Sequence, residues 1–141
     1  VVGSNNGETW AYPADLDGDG DMDVIGAEGH YINWYENDGS QNFVMSGIND
    51  GGREHKSVYA ADFDNDGDLD VLASQAVDAI VWLENDGSEN FVGHTVVTAN
   101  DDDYFQLGTV HAADIDGDGD MDALSVSHGA DIVAWYENDL I

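Results

Sequence analysis

The sequence predicts an all-β chain of β-propeller blades, three four-stranded antiparallel blades in 141 residues, and three observations predict it. The acidic nonapeptide Asp15-Leu16-Asp17-Gly18-Asp19-Gly20-Asp21-Met22-Asp23 returns as Asp62 to Asp70 and as Asp114 to Asp122, roughly 50 residues apart each time. Downstream of it, Trp34-Tyr35-Glu36-Asn37-Asp38 returns as Trp82-Leu83-Glu84-Asn85-Asp86 and as Trp135-Tyr136-Glu137-Asn138-Asp139. Between these markers run short apolar or alternating segments bounded by Gly, Asn and Asp clusters, and no stretch sustains a helical period between caps.

The elements follow copy by copy. The first copy opens on a strand that ends at Pro13, the only proline, a residue tolerated at strand ends and edges, and Ala14 leads into the first acidic loop. Its Trp34 segment and Asn42-Phe43-Val44 flank a Gly39-Ser40 turn. In the second copy Val58-Tyr59-Ala60-Ala61, Val71-Leu72-Ala73-Ser74, Ala79-Ile80-Val81-Trp82-Leu83, and Phe91-Val92 with Thr95-Val96-Val97 read as four successive strands. The third copy repeats the loop after Ala113 and the Trp135 segment, then stops at Leu140-Ile141 without a last strand. Val1-Val2 precede Asp15 roughly where Val96-Val97 precede Asp114, so the N-terminal segment is expected to complete the third blade, in cis or in a neighbouring subunit. The whole reads as one domain, 1–141, with repeats at about 1–48, 49–98 and 99–141. Each copy is too small to bury a core alone, so the copies must pack on one another.

Charge narrows the partners. Thirty-one Asp and Glu stand against Arg53 and Lys56, a net charge of −29 that repels phosphate backbones and anionic headgroups and attracts cations. Nucleic acid and membrane insertion are therefore not expected. There is no cysteine, which removes disulfides and thiolate metal sites. Recurrent aromatics and 42% apolar residues argue against disorder.

The nonapeptide carries the chemistry. Calcium takes six to eight oxygens, and a loop supplies them by wrapping carboxylates around one point, with glycine where the backbone turns sharply. Loop positions one, three and five aim at a common centre: Asp15, Asp17, Asp19; Asp62, Asp64, Asp66; and Asp114, Asp116, Asp118. Gly20, Gly67 and Gly119 follow at position six, where positive φ is easiest. Position seven (Asp21, Asp68, Asp120) offers its backbone carbonyl, and position nine (Asp23, Asp70, Asp122) a closing, bidentate carboxylate. An EF-hand would need its last acid at position twelve and a helix on each side, and magnesium insists on octahedral geometry, so about three Ca2+ ions in a strand-to-strand loop are expected. Uncompensated carboxylates packed so closely would repel one another, which argues against mere solvated turns.

The DxDxDGDxD loop followed by a strand and WYENDGS resembles the FG-GAP and VCBS repeat family, over nearly the whole chain. The resemblance implies a calcium-binding β-propeller similar to the integrin α-subunit head, with calcium at the fifteen loop aspartates, and it leaves adhesive, lectin-like and enzyme-accessory roles open. Propellers close with four to eight blades, so three blades imply a partner, with self-association into a ring or a filament as the expectation. A fragment of a longer propeller is the alternative.

Function is expected to be non-catalytic and structural or adhesive, with a carbohydrate-binding propeller and an accessory domain of a polysaccharide-degrading enzyme as alternatives. A glycan or protein ligand would bind through the non-equivalent segments Asn49 to Lys56 and Asn100 to Leu107. Scarcity of Lys and Arg argues against processing anionic sugars, and neither a Ser-His-Asp set nor a phosphate cradle is present. Secretion is expected, because weak calcium sites fill outside the cell; a first residue Val1 suits a mature secreted product or a trimmed chain. Trp34, Trp82 and Trp135 hold one repeat position, which marks inter-blade core, and Tyr12, Tyr59 and His111, three residues before each loop, are expected to line an axial channel.

Overall fold

The structure, a computed structural model, describes residues 9–48, 52–76, 79–98 and 106–139. The first sheet holds β1 (Thr9–Ala14), β2 (Asp23–Glu28), β3 (Tyr31–Asn37) and β4 (Phe43–Ile48). A second holds β5 (His55–Ala61), β6 (Asp70–Gln75), β7 (Ala79–Asn85) and β8 (Phe91–Thr98), and a third β9 (Leu107–Ala113), β10 (Asp122–Ser127) and β11 (Ile132–Tyr136). Every sheet is an antiparallel meander in chain order, so the sheets are blades of four, four and three strands. The segment expected to complete the third blade, Val1-Val2, lies outside the described residues, as do 49–51 of the first non-equivalent segment and 100–105 of the second.

Register explains why the repeated texts recur. Ala14 pairs with Asp23, Ala61 with Asp70 and Ala113 with Asp122, so each acidic loop is the connection from a first strand to a second. Across from the second strand, Trp34 pairs with Ile25, Trp82 with Leu72 and Trp135 with Leu124. The next turn is built by its own aspartate. Asp38 Oδ1 accepts from Ser40 N at 2.8 Å and Asn42 N at 3.2 Å, while Asn42 Nδ2 donates to Oδ2 at 2.8 Å. Asp86 repeats the arrangement with Ser88 and Asn90. In both turns the Asn side chain leads in holding the carboxyl below its ordinary pKa.

The first strands lie innermost. Tyr12, Tyr59 and His111 form one aromatic column, with ring centroids 4.7 Å and 4.0 Å apart, so the residues expected near the axis instead stack on one another. The core is two inter-blade layers. Ile25, Ile32 and Trp34 of the first blade meet Val58, Val71 and Leu83 of the second, whose other face brings Phe63, Leu72 and Trp82 against Leu107, Val110 and Ala123 of the third. A polar staple joins the last two blades near the axis: Val110 N donates to Ser57 Oγ at 2.8 Å, and Ser74 Oγ donates to the Gly108 carbonyl at 2.8 Å. All six residues of β6 are buried, because only the middle blade is covered on both faces; its continuous apolar run, Val71-Leu72-Ala73, follows from that. One expectation fails here. Trp34 and Trp82 are 2% and 6% exposed, but Trp135 is 45% exposed, because among the described residues no blade lies beyond the third.

Candidate metal centre

The three loops are built almost alike. Position four turns left-handed at Gly18 (φ 73°), Asn65 (φ 60°) and Gly117 (φ 85°), and position six at Gly20 (φ 97°), Gly67 (φ 102°) and Gly119 (φ 109°). Glycine and, less readily, asparagine accept that conformation. Within each loop the aspartates accept amide hydrogens two residues on. Asp17 Oδ1 takes Asp19 N at 3.1 Å and Asp19 Oδ1 takes Asp21 N at 2.8 Å; Asp64 and Asp66 repeat this at 3.1 and 2.9 Å. The first carboxylate reaches across the loop, with Asp15 Oδ2 accepting Gly20 N and Asp62 Oδ2 accepting Gly67 N, both at 3.0 Å. These bonds turn successive side chains to one side of the backbone.

Three groups of carboxylate oxygens result, each within a span of 4.8 Å: Asp15, Asp17 and Asp19; Asp62, Asp64 and Asp66; Asp114, Asp116 and Asp122. The first two are the sets predicted from positions one, three and five. In the third loop Asp114 Oδ1 accepts from Gly117 N at 2.7 Å, not from the position-six glycine, and position nine replaces position five in the group. Asp118 receives Asp120 N at 3.0 Å, as Asp19 and Asp66 receive their equivalents, but lies outside the group.

Such a group is costly without a cation. At a separation near 4 Å two unit charges repel by about 4 kcal/mol at an effective dielectric near 20. Burial, chiefly, raises the pKa of Asp17 and Asp64, with neighbouring carboxylates adding to it. At Asp116 the amide bond from Asp118 pulls the pKa down, yet burial and the acids around it leave it raised. Asp15 Oδ1 and Asp62 Oδ1 are buried without a hydrogen-bond partner among the described residues. A buried acceptor left bare costs stability, and hard oxygens converging on a point are what calcium takes, so these residues fit the ion. When bound, it would neutralise the repulsion and hold the loop closed.

Position nine works differently from positions one to five. Asp23 Oδ2 accepts from Leu16 N at 3.1 Å and Trp34 Nε1 at 2.9 Å, and its Oδ1 from Asn37 N at 2.8 Å. Asp70 and Asp122 accept the equivalent amides, from Phe63 and Asn85 at 2.9 and 2.8 Å and from Ile115 and Asn138 at 2.9 and 3.0 Å. This carboxylate therefore fastens the loop to the third strand, and it is almost wholly buried in all three blades. Burial pushes Asp70 up to about 6 despite the Asn85 and Phe63 amides and the nearby Trp82 indole, whose Nε1 is close enough to favour the charge while outside hydrogen-bond geometry. At Asp122 burial acts the same way, but the amides of Ile115 and Asn138 and the Trp135 indole outweigh it and the pKa is lowered. The position-seven side chains of Asp21 and Asp68 lie against the turn after the Trp segment, where a Cβ on Gly39 or Gly87 would collide with the carboxylate, whereas Asp120 is 6% exposed and accepts from Asn65 Nδ2 at 2.8 Å.

Sequence reasoning passed over the asparagine after each Trp segment. Asn85 Nδ2 donates to the Leu69 carbonyl of its own blade at 3.1 Å and to the Leu16 carbonyl of the first blade at 3.2 Å. Asn138 does the same with Met121 at 3.3 Å and Phe63 at 2.8 Å. The first and second acidic loops are thus each clamped by the blade that follows. The signal was present, because Asn37, Asn85 and Asn138 repeat as strictly as the aspartates.

A separate cleft of about 350 Å³ opens at the outer rim between the second and third blades, beside the Trp82 and His94 rings, which stack 4.5 Å apart, with Tyr136, Glu137 and Asp139 opposite.

Residues 15–73 match the family model described as FG-GAP-like repeat, a match that covers the first loop, the second loop and the strands β2 to β5 between them. No curated protein matches the chain. Among solved structures the chain is similar to an Agrocybe aegerita lectin, from work on its specific recognition of non-reducing terminal N-acetylglucosamine, with a TM-score of 0.63 and 19% identity over 93% of this chain. The match covers 38% of the lectin, so the chain spans well under half of that protein's length. At that identity the likeness is one of fold, and it accords with propeller blades.

Proposed function

We propose that this chain of FG-GAP-like repeats is a secreted, calcium-binding, non-catalytic propeller module with a structural or adhesive role, whose copies self-assemble. The reading is carried by one observation: every blade gathers three carboxylates within 4.8 Å, and two of the three groups include a buried oxygen with no other partner. Extracellular calcium suits sites of this kind, which need no more than modest affinity there. Each bound ion adds roughly 2.7 kcal/mol of stability when free calcium is about a hundredfold above Kd, so three would rival the whole stability of a small domain, about 5 to 15 kcal/mol. Self-assembly by strand completion is supported by β11, the outermost strand of a three-stranded sheet, whose outer edge pairs with no strand among the described residues and can accept an added one.

The test is calorimetric melting in millimolar calcium and again in excess chelator. The reading expects the transition to fall steeply on chelation and to return when calcium is restored. An unchanged transition would overturn it.

A second reading, carbohydrate binding, is favoured by the cleft beside Trp82 and His94, where an aromatic wall faces carboxylates as a sugar ring requires, and by the shared fold with a lectin. Titration with N-acetylglucosamine and a glycan array, each run with and without calcium, would separate the two: silence on both leaves the structural reading alone.

A further inference from the structure

We propose that Asn65, in the second acidic loop, is a positioning residue of the third, so that the second and third metal sites fill as a coupled pair, more tightly linked than the first and second. The inference rests on the calcium reading above and deepens it: sites which that reading treats as equals acquire a dependence on one another.

The three loops are not joined alike. One bridge is common to both junctions. Asn85 Nδ2 spans the position-two carbonyl of the first loop and the position-eight carbonyl of the second, those of Leu16 and Leu69, and Asn138 Nδ2 spans those of Phe63 and Met121 in the same way. A further contact, among the described residues, is made at the second junction alone. Asn65 Nδ2 donates to Asp120 Oδ1 at 2.8 Å and lies 3.4 Å from the Gly119 carbonyl, positions seven and six of the third loop. Its counterpart in the first loop is Gly18, which has no side chain with which to reach the second.

Asn65 is placed to carry a change at one site to the other. It stands at position four, between Asp64 and Asp66, two of the three carboxylates of the second group, and its backbone is left-handed at φ 60°. An ion gripped by both neighbours fixes the peptides on either side of Asn65, and with them the direction of its side chain. At the other end of the bond, Asp120 is 6% exposed, and its backbone carbonyl is the oxygen expected at position seven of the third site. Holding Asp120 therefore orders part of the third loop before an ion arrives there. The loop held from outside is also the one whose carboxylates group differently. Gly119, whose carbonyl faces Asn65, is the glycine whose amide Asp114 forgoes in favour of Gly117 N at 2.7 Å, where Asp15 and Asp62 keep the position-six amide at 3.0 Å.

Linkage makes the dependence mutual: whatever factor an ion in the second site adds to the affinity of the third, an ion in the third adds to that of the second. One hydrogen bond to a carboxylate in a half-buried setting corresponds to a coupling of roughly tenfold, near the low end of the range that couplings between sites span.

Calcium titration of the isotope-labelled chain, followed by the amide signals of Gly20, Gly67 and Gly119 in nuclear magnetic resonance, reads the three loops separately, since each glycine holds position six of its own loop. Asn65→Gly keeps the loop backbone, because glycine already turns left-handed at position four in Gly18 and Gly117. Asp64→Asn removes a carboxylate from the second group alone. With Asn65 in place, Asp64→Asn should raise the calcium midpoint of Gly119 by about tenfold. In the Asn65→Gly background that midpoint should already be high, and adding Asp64→Asn should move it by less than about threefold, the remainder being carried by Asn138. A merely structural Asn65 would lower the melting temperature in chelator and leave the response of Gly119 to Asp64→Asn intact. That result, or a Gly119 midpoint equal in wild type and Asn65→Gly, would overturn the inference. Three amides that move with calcium while Gly119 ignores Asn65 remove the coupling alone, whereas no movement at millimolar calcium removes the calcium reading and this inference with it.

Discussion

Truncating Asn85 to alanine tests the clamp between blades with an internal control. Asn85 is 3% exposed, and its Nδ2 satisfies the buried Leu16 carbonyl of the first blade and the half-buried Leu69 carbonyl of its own, while its Oδ1 accepts Gly87 N at 3.2 Å. The variant leaves all three groups without that partner. A buried group so stranded costs roughly 1–3 kcal/mol and partly solvated ones less, which puts Asn85→Ala at about 3 kcal/mol. For a chain of this size that is about a 10 °C drop in Tm. Asn37→Ala is the control, because its side chain makes one exposed bond, to the Met22 carbonyl, and carries a buried Oδ1 without a partner, whose removal offsets part of the loss. Its expected cost is below about 1 kcal/mol. Urea and thermal unfolding in saturating calcium, at micromolar protein where copies are apart, would measure both. Equal destabilisation by the two variants would refute the assignment of Asn85 as an inter-blade clamp.

Two other predictions rest on comparable contrasts. Trp34→Ala and Trp82→Ala should each cost about 3–5 kcal/mol in the same unfolding assay, and Trp135→Ala less than about 1 kcal/mol, although the three residues hold one repeat position. In spectrophotometric titration, Tyr12 and Tyr35 should ionise late, at about 12, Tyr12 through burial and then its hydrogen bond with Tyr59, Tyr35 through burial and then its bond to Glu28. Both are raised, so their contribution to stability is present below the unfolded pKa near 10 and is lost as pH rises through about 12; Tyr35→Phe should delete one late proton.

Much of this was legible in the residues. The loop aspartates and the Trp segments repeat, and repetition exposes a blade whatever its local propensities, so the strands of the second copy could be placed within a few residues of β5 to β8. What escaped was whatever depends on neighbours. Trp135 reads like Trp34 and Trp82, and only a blade packed against them distinguishes the three. Position four of the loop, occupied by Gly18, Asn65 and Gly117, needs positive φ as position six does, but the asparagine hid the pattern. Asn65 also reaches into the third loop, its Nδ2 donating to Asp120 Oδ1 at 2.8 Å, a long-range bond that no local pattern encodes. The third loop's regrouping around Asp122 is equally invisible, since its nonapeptide differs from the first only at an apolar position.

Calcium titration of the metal-free chain by isothermal calorimetry, with bound metal counted after dialysis, addresses the central claim most directly. Three ions per chain are expected, falling to two when Asp17 or Asp64 is replaced by asparagine, since each replacement removes a carboxylate from one group alone. Absence of binding at millimolar calcium, or a stoichiometry indifferent to those replacements, would contradict it.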